Sequence, residues 1–270
     1  MPINSMNHSF RILIFFFIPF AAAAQLNQKD AEGRKHGLWE DYYENGNLKY
    51  RGNFSHGQPV GELKRFYDDG SLQAILRHES DDVTYAKLYY PEEKQLMAEG
   101  KYREKERDSV WTFYSQAGVL TSRESYVEGE KDGLIEIYYE DGSISEKIHF
   151  VDDVKHGKWE QFFPDGNPKM KATVVDGVMY DGDYVSYYPD GTKMMEGEYV
   201  DGKKESSWYH FNEDGSIEVI YVYRADEGVE KHPKNGTFET YWPNDIKRSV
   251  YTYKDGKKHG PFEEWYDQGE

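Results

Sequence analysis

No cysteine occurs in the 270 residues, so a disulfide framework, a thiolate metal site and a cysteine nucleophile are all excluded. Basic residues are few: 33 Lys and Arg stand against 50 Asp and Glu, for a net charge of -17. A surface of that sign repels nucleic acid and makes an anionic membrane an unfavourable partner. Leu and Ile are sparse, mean hydropathy is -0.92, and no long apolar run follows residue 24. That excludes a thick aliphatic core and, beyond residue 24, a helix that spans a bilayer. Also missing are the G-x-S-x-G elbow, a phosphate loop, G-x-G-x-x-G, H-E-x-x-H and the calcium-binding loops. The expectation is therefore a protein with no catalytic residue, no cofactor and no metal site.

What is abundant is Tyr, at 24 residues, within an aromatic content of 16%. The stretch Gly37 to Gly46, G-L-W-E-D-Y-Y-E-N-G, returns down the chain. Its last glycine is matched by Gly70, Gly118, Gly142, Gly166, Gly191, Gly215 and Gly269, a period of about 24 residues with two irregular places. A fixed period of this length marks stacked supersecondary units. Within each unit an alternating strand ends in an aromatic pair and is followed by N-G or D-G, at Asn45-Gly46, Asp69-Gly70, Asp141-Gly142, Asp165-Gly166, Asp190-Gly191 and Asp214-Gly215. These dipeptides accept positive φ, so each is expected to form a two-residue type I′ hairpin turn. The fold expected is all-β: an elongated single-layer antiparallel sheet of about ten tandem hairpins.

That turn sets a register. It places Tyr43 opposite Leu48, Trp39 opposite Gly52, Trp159 opposite Ala172, Tyr184 opposite Gly197, Leu63 opposite Leu76, Ile135 opposite Ile148 and Trp208 opposite Tyr221. Large aromatics mostly meet small residues and aliphatics meet aliphatics, as cross-strand volume matching requires. Alternation sends the two aromatics of each pair to opposite faces. One face then carries the row Tyr42, Phe66, Phe113, Tyr138, Phe162, Tyr187, Phe211, Tyr241 and Trp265, together with Glu40, Glu136, Glu160, Glu239 and Glu263. This acidic, Tyr-rich row is the candidate interaction face.

Residues 1–24 follow a different logic. Arg11, the apolar run Ile12 to Phe20 and the small residues Ala21 to Ala24 have the layout of a Sec-type signal peptide cut before Gln25. The expected location is thus periplasmic, outer-surface or secreted. Residues 25–32 are expected as a short linker and 33–270 as the array, with a degenerate repeat near 78–107 and an insertion near 222–235. Phe262 to Tyr266 is expected to be an exposed edge strand. His36, His156 and His259 share one repeat position, but about 4.8 Å per strand holds them far apart in a flat array. They cannot share one ion.

The pattern G-x-W-x-x-Y-Y-x-x-G-x-L, as in His36 to Leu48, His156 to Pro168 and His259 to Gly269, resembles the MORN-repeat-variant family. Some of its bacterial members are labelled toxin-antitoxin antitoxins. The resemblance implies an interaction role and no common catalytic residue. A protein partner is expected. Two alternatives are envelope glycan or cell-wall ligand binding through the aromatic stripes, and an antitoxin-like neutralising partner, the latter at odds with export.

Overall fold

A computed structural model describes residues 26–92, 94–179, 182–223, 229–232, 236–242, 246–254, 257–260 and 262–266. The expected signal segment lies outside them. Among the described residues every regular element is a strand, and nineteen strands form one antiparallel sheet in which neighbours in sequence are neighbours in space. The first hairpins are built from β1 (Gln28–Lys29), β2 (Lys35–Tyr42), β3 (Leu48–Ser55), β4 (Gln58–Phe66), β5 (Leu72–His78), β6 (Val83–Tyr89) and β7 (Leu96–Arg103). The middle holds β8 (Glu106–Tyr114), β9 (Leu120–Val127), β10 (Glu130–Tyr138), β11 (Ile144–Val151), β12 (Val154–Phe162) and β13 (Pro168–Val175). Then come β14 (Val178–Met179) and β15 (Gly182–Tyr187), both paired with β13, followed by β16 (Lys193–Val200), β17 (Lys203–Phe211), β18 (Ile217–Tyr223) and β19 (Val229–His232). The stretch 78–107, degenerate in sequence, still supplies a hairpin, β6 paired with β7, with Tyr89 opposite Leu96 across a loop one residue longer than that between Tyr42 and Leu48; residue 93 lies outside the described residues. Residues 224–228 and 233–235 of the expected insertion lie outside the described residues, while 229–232 form β19.

The hairpin loops differ from the expected type I′ turns. Positive φ is confined to the glycine, as at Gly46 (88°) and Gly166 (86°). Gly46 N–H donates to Tyr43 O at 3.0 Å and Tyr43 N–H to Asn47 O at 2.9 Å. This is a type I turn closed by a left-handed glycine. The chemistry behind it is visible in P-D-G at Pro164 and Pro189, since Pro suits the second position of a type I turn. The Asp or Asn then accepts the N–H two residues on: Asn47 N–H donates to Asn45 Oδ1 at 2.9 Å, Ser71 N–H to Asp69 Oδ1 at 2.7 Å and Thr192 N–H to Asp190 Oδ1 at 2.8 Å. The longer loop is offset by a bulge in the second strand, so Tyr42, not Tyr43, pairs with Leu48, while Asp41 still pairs with Tyr50 and Trp39 with Gly52. The other six expected pairs hold: Trp159 with Ala172, Tyr184 with Gly197, Leu63 with Leu76, Ile135 with Ile148, Trp208 with Tyr221 and Trp39 with Gly52.

The two-residue turns with both φ positive occur instead at the links between hairpins, among them His56-Gly57, Glu104-Lys105, Asp152-Asp153 and Asp201-Gly202. Just past each link the strand bulges at a left-handed residue. Gly61, Gly133 and Gly157 take this position, and Ser109 and Ser206 take it at φ 62° and 60°.

Both ends of the sheet are treated specially. Beyond β1, among the described residues, the outer edge of β2 is met by Asn27. Asn27 Nδ2 donates to Glu40 O at 3.0 Å, Glu40 N–H donates to Asn27 Oδ1 at 2.8 Å, and Asn27 N–H donates to Leu38 O at 2.9 Å. At the far end, β20 (Gly236–Tyr241), β21 (Lys247–Lys254), β22 (Lys257–Lys258) and β23 (Glu263–Glu264) form a second, four-stranded sheet. Its Tyr251 and Tyr253 pack with Ile217, Ile220 and Val222, flanked by Tyr209 and Phe211. The single layer becomes two there because β18, I-E-V-I-Y-V-Y, is apolar on both of its faces. Within the stretch expected as an exposed edge, Glu263 and Glu264 pair with Val250 and Ser249.

Candidate interaction faces

Register assigns residues to faces across the whole sheet. On one face a transverse ladder runs Glu40, Arg51, Lys64, Ile75, Lys87, Glu99, Thr112, Arg123, Glu136, Lys147, Glu160, Lys171, Val185, Glu196, Tyr209, Ile220, each opposite the next. Opposite charges meet: Arg51 lies 3.1 Å from Glu40, Lys147 3.6 Å from Glu136 and Lys171 3.8 Å from Glu160. Such exposed pairs each contribute about 0–1 kcal/mol. The carboxylates of this face are therefore matched by cations instead of standing as an uncompensated acidic stripe.

The Tyr row belongs to the same face. Tyr42, Phe66, Tyr138, Phe162, Tyr187 and Phe211 each pair with the residue that restarts the next strand, from Leu48 to Ile217. Tyr241 holds the same position, opposite Lys247, within the terminal sheet. There too, Trp265 N–H donates to Arg248 O at 2.8 Å. Phe113 is misplaced by one residue in the expected row. Tyr114 pairs with Leu120 in the position of Tyr42, while Phe113 pairs with Ser122 and points to the other face. Counting four residues from Trp111 to Ser115, as from Trp39 to Tyr43, would have found this. Tyr89, opposite Leu96, was missing from the row.

The phenols are bonded into the charge ladder. Tyr42 Oη donates to Glu40 Oε2 at 2.5 Å, Tyr138 Oη to Glu136 Oε2 at 2.9 Å and Tyr114 Oη to Glu99 Oε1 at 3.0 Å. Accordingly the Tyr42 hydroxyl is pushed above its ordinary pKa by the Glu40 carboxylate that accepts from it. Burial, then the neighbouring carboxylate, does the same at Tyr138 and Tyr114.

The opposite face carries Trp39, Trp111, Trp159 and Trp208. Trp111 and Trp208 are 0% exposed although only one layer surrounds them. Glycine makes this possible. A Cβ on Gly100 would lie 2.3 Å from the Trp111 ring, and one on Gly197 would lie 2.3 Å from the Trp208 ring, so each indole rests on bare backbone of the preceding strand. At Gly52 the covering group is Leu63, from the following hairpin, with Cδ1 at 2.5 Å.

Over these rings sit the chain's own cations. Lys35 Nζ is 5.1 Å from the Trp39 ring, 4.9 Å from Tyr50 and 5.1 Å from Phe54. Arg107 covers Trp111 at 5.1 Å and Tyr126 at 5.3 Å, Lys155 covers Trp159 at 4.6 Å, and Lys204 covers Trp208 at 4.1 Å. All lie within cation–π range. These cations, with Lys131 over Phe150 at 5.6 Å, share one repeat position. Their spacing was readable in the sequence, and their role was not.

One polar cluster interrupts the Trp face. Glu124 accepts from Ser122 Oγ at 2.9 Å and Tyr126 Oη at 2.7 Å and pairs with Lys131 Nζ at 3.1 Å. Burial alone would raise the Glu124 pKa. The hydrogen bonds from Tyr126, Lys131 and Ser122 outweigh it and hold the carboxyl below its ordinary value. Tyr126 is pushed up to about 12 by burial and by Glu124. Among the described residues no group of three His, Asp or Glu stands ready to hold a metal ion.

A single-layer array of antiparallel hairpins, each coupled to its neighbours, with aromatic rows on both faces, defines a tandem β-hairpin repeat protein. The particular repeat is the MORN repeat variant, whose family model matches residues 35–56, 131–152, 155–176 and 180–201. No curated protein matches the chain. Among solved structures, 86% of this chain aligns with 15% of a chain in the crystal structure of TcdB2-TccC3-TEV, at 12% identity and a TM-score of 0.22. Likewise 88% aligns with 14% of a chain in the Photorhabdus luminescens Tc holotoxin pore carrying a TccC3 mutation, at 13% identity and a TM-score of 0.22. At that score the chains do not superpose as wholes, and no activity of this chain follows from them. The chain spans about 15% of the length of those chains.

Proposed function

We propose that this protein is an exported, non-catalytic scaffold that holds a protein partner against its Tyr-row face. MORN repeats commonly serve protein interaction, which supplies the coarse role. The observation that carries the choice of face is intramolecular: the terminal sheet is seated on this face, with Tyr251 and Tyr253 against Tyr209, Ile220 and Val222. The face therefore already receives a β-sheet where its charges give way to apolar residues. Elsewhere it offers Tyr hydroxyls and a ladder of alternating charge, which favours an orienting, salt-sensitive contact over an oily one. Aromatic stacking of a glycan is less favoured on the opposite face, because Lys35, Arg107, Lys155 and Lys204 already cover its rings. Export rests on the character of residues 1–24, and the secreted protein should begin at Gln25 by N-terminal sequencing.

The test is capture from an envelope fraction by the mature chain, set beside a Tyr42→Ala, Tyr138→Ala variant whose fold is verified by circular dichroism. A protein captured reproducibly by the first and not by the second supports the reading. Capture of no protein, or glycan-array binding that the variant retains, overturns it.

A further inference from the structure

The cations over the Trp face recur with the repeat at Lys35, Arg107, Lys131, Lys155 and Lys204, each over at least one ring. Between Lys35 and Arg107 the repeat passes the position twice more, and there register places Pro59, opposite Phe54, and Thr84, opposite His78. The rings thin out at the same place. Where Trp39, Tyr50 and Phe54 surround Lys35, the corresponding residues of the next hairpin are Leu63, Ala74 and His78. The result is a hollow of about 570 Å³ on this face of β4 to β7. Pro59, Leu76 and Leu88 form its apolar wall, the ring of Tyr102 borders it, and Asp81 and Asp82 stand at its rim. Tyr102 is held in place edge-on to Trp111, with ring centroids 4.8 Å apart. Arg65 and Lys105 also border the hollow, yet neither lies over a ring among the described residues.

We infer that this hollow is a recognition site for a Lys or Arg side chain of a protein partner. Its aliphatic stem would lie along Pro59, Leu76 and Leu88 and its charged head beside Tyr102 and the two aspartates. The hairpins on either side show the mode of binding, because each places a long cationic side chain over rings at this point, whereas here the chain leaves the place to another molecule. Long amphipathic cations suit such a wall, since the stem is desolvated while the head keeps polar company. The site lies on the face opposite Tyr42 and does not depend on the Tyr-row face being the seat of a partner.

The experiment is a titration of the mature chain, followed by NMR or calorimetry, with N-acetyl-arginine amide, N-acetyl-lysine amide and the uncharged N-acetyl-norleucine amide. The two cations should bind about tenfold more tightly than norleucine amide. Pro59→Lys returns the repeat's own cation and should abolish that binding while leaving the melting temperature unchanged or raised. Tyr102→Leu should remove the preference for charge even if some affinity remains, a readout that loss of packing alone would not produce. The proposal is overturned if norleucine amide binds as well as arginine amide, if Pro59→Lys leaves binding intact, or if neither cation binds.

Discussion

The phenol of Tyr139 donates to the main-chain oxygen of Phe162, 2.8 Å away, and so ties one hairpin to the next. Tyr43 does the same to Phe66 at 2.8 Å, Tyr67 to Tyr89 at 2.9 Å, Tyr90 to Tyr114 at 2.9 Å and Tyr188 to Phe211 at 2.7 Å. The second aromatic of each pair is thus a coupling element between repeats. Phe163 holds that position without a hydroxyl. Tyr139→Phe should lower stability by about 1 kcal/mol, and Phe163→Tyr should raise it by about the same by reaching the oxygen of Tyr187. Urea denaturation of both variants measures this. A destabilised Phe163→Tyr would show that no acceptor stands there.

Ser109 sits at φ 62° where equivalent links carry glycine, and its side chain, exposed, makes one hydrogen bond at 3.0 Å to Asp108. A left-handed non-glycine residue costs about 1–2 kcal/mol. Ser109→Gly should therefore stabilise the protein by about 1 kcal/mol after the lost bond and the added chain entropy are counted. A melting temperature that falls would contradict this.

Gly197→Ala should be far more costly than Gly142→Ala. The first drives a methyl group into the Trp208 ring, whereas the second meets nothing within 4 Å at φ 86°. Overpacking against a buried indole predicts a loss of about 2–3 kcal/mol, against about 1 kcal/mol for backbone conformation alone. Thermal melts of the two variants, together with Trp fluorescence, separate the causes.

Glu124 ties stability to pH. Its folded pKa is held below the ordinary carboxylate value by its hydrogen bonds, so its contribution is complete above the unfolded pKa of about 4.5 and disappears as pH falls through the lower folded value. Tyr126 acts with the opposite sign: its folded pKa of about 12 exceeds the usual 10, so its contribution is complete below pH 10 and is lost as pH rises toward 12. Glu124→Gln should flatten the acid limb of the stability curve. An unchanged slope between pH 5 and pH 3 would refute the assignment.

Ile220→Asp places a charge in the contact between β18 and the terminal sheet, where Ile220 is 2% exposed. Because repeat arrays couple mainly to neighbours, amide protection should drop across 207–266 and persist through 35–162. Uniform loss of protection along the chain would mean a single cooperative unit.

Much of this fold was legible because glycine spacing and aromatic alternation leave few registers. Trp39 meets Gly52 and Ile135 meets Ile148 as the sequence implies. The turn type was not, because N-G and D-G suit two geometries and the deciding information is the bond that Asn47 N–H donates to the Asn45 side-chain Oδ1. That extra loop residue and its bulge cancel within the strand, so one wrong turn still yields the right distant pairs. Phe113 shows the other limit: an aromatic pair shifted by one residue faces the other side, and only the distance from Trp111 betrays it. The roles of Tyr139 and Lys35 arise between strands, where neither periodicity nor propensity records which oxygen or ring lies opposite.

Asn27 has a consequence for how such proteins vary. An open hairpin sheet has no intrinsic size, since every unit offers the next the same edge, and the count of units must be stopped by something outside the repeat. One amide, bonded to both the N–H and the oxygen of Glu40, performs that stop together with the two residues of β1. A hairpin gained or lost farther along leaves this stop untouched, so the array can change reach by whole units, about 10 Å at a time, while its beginning stays the same.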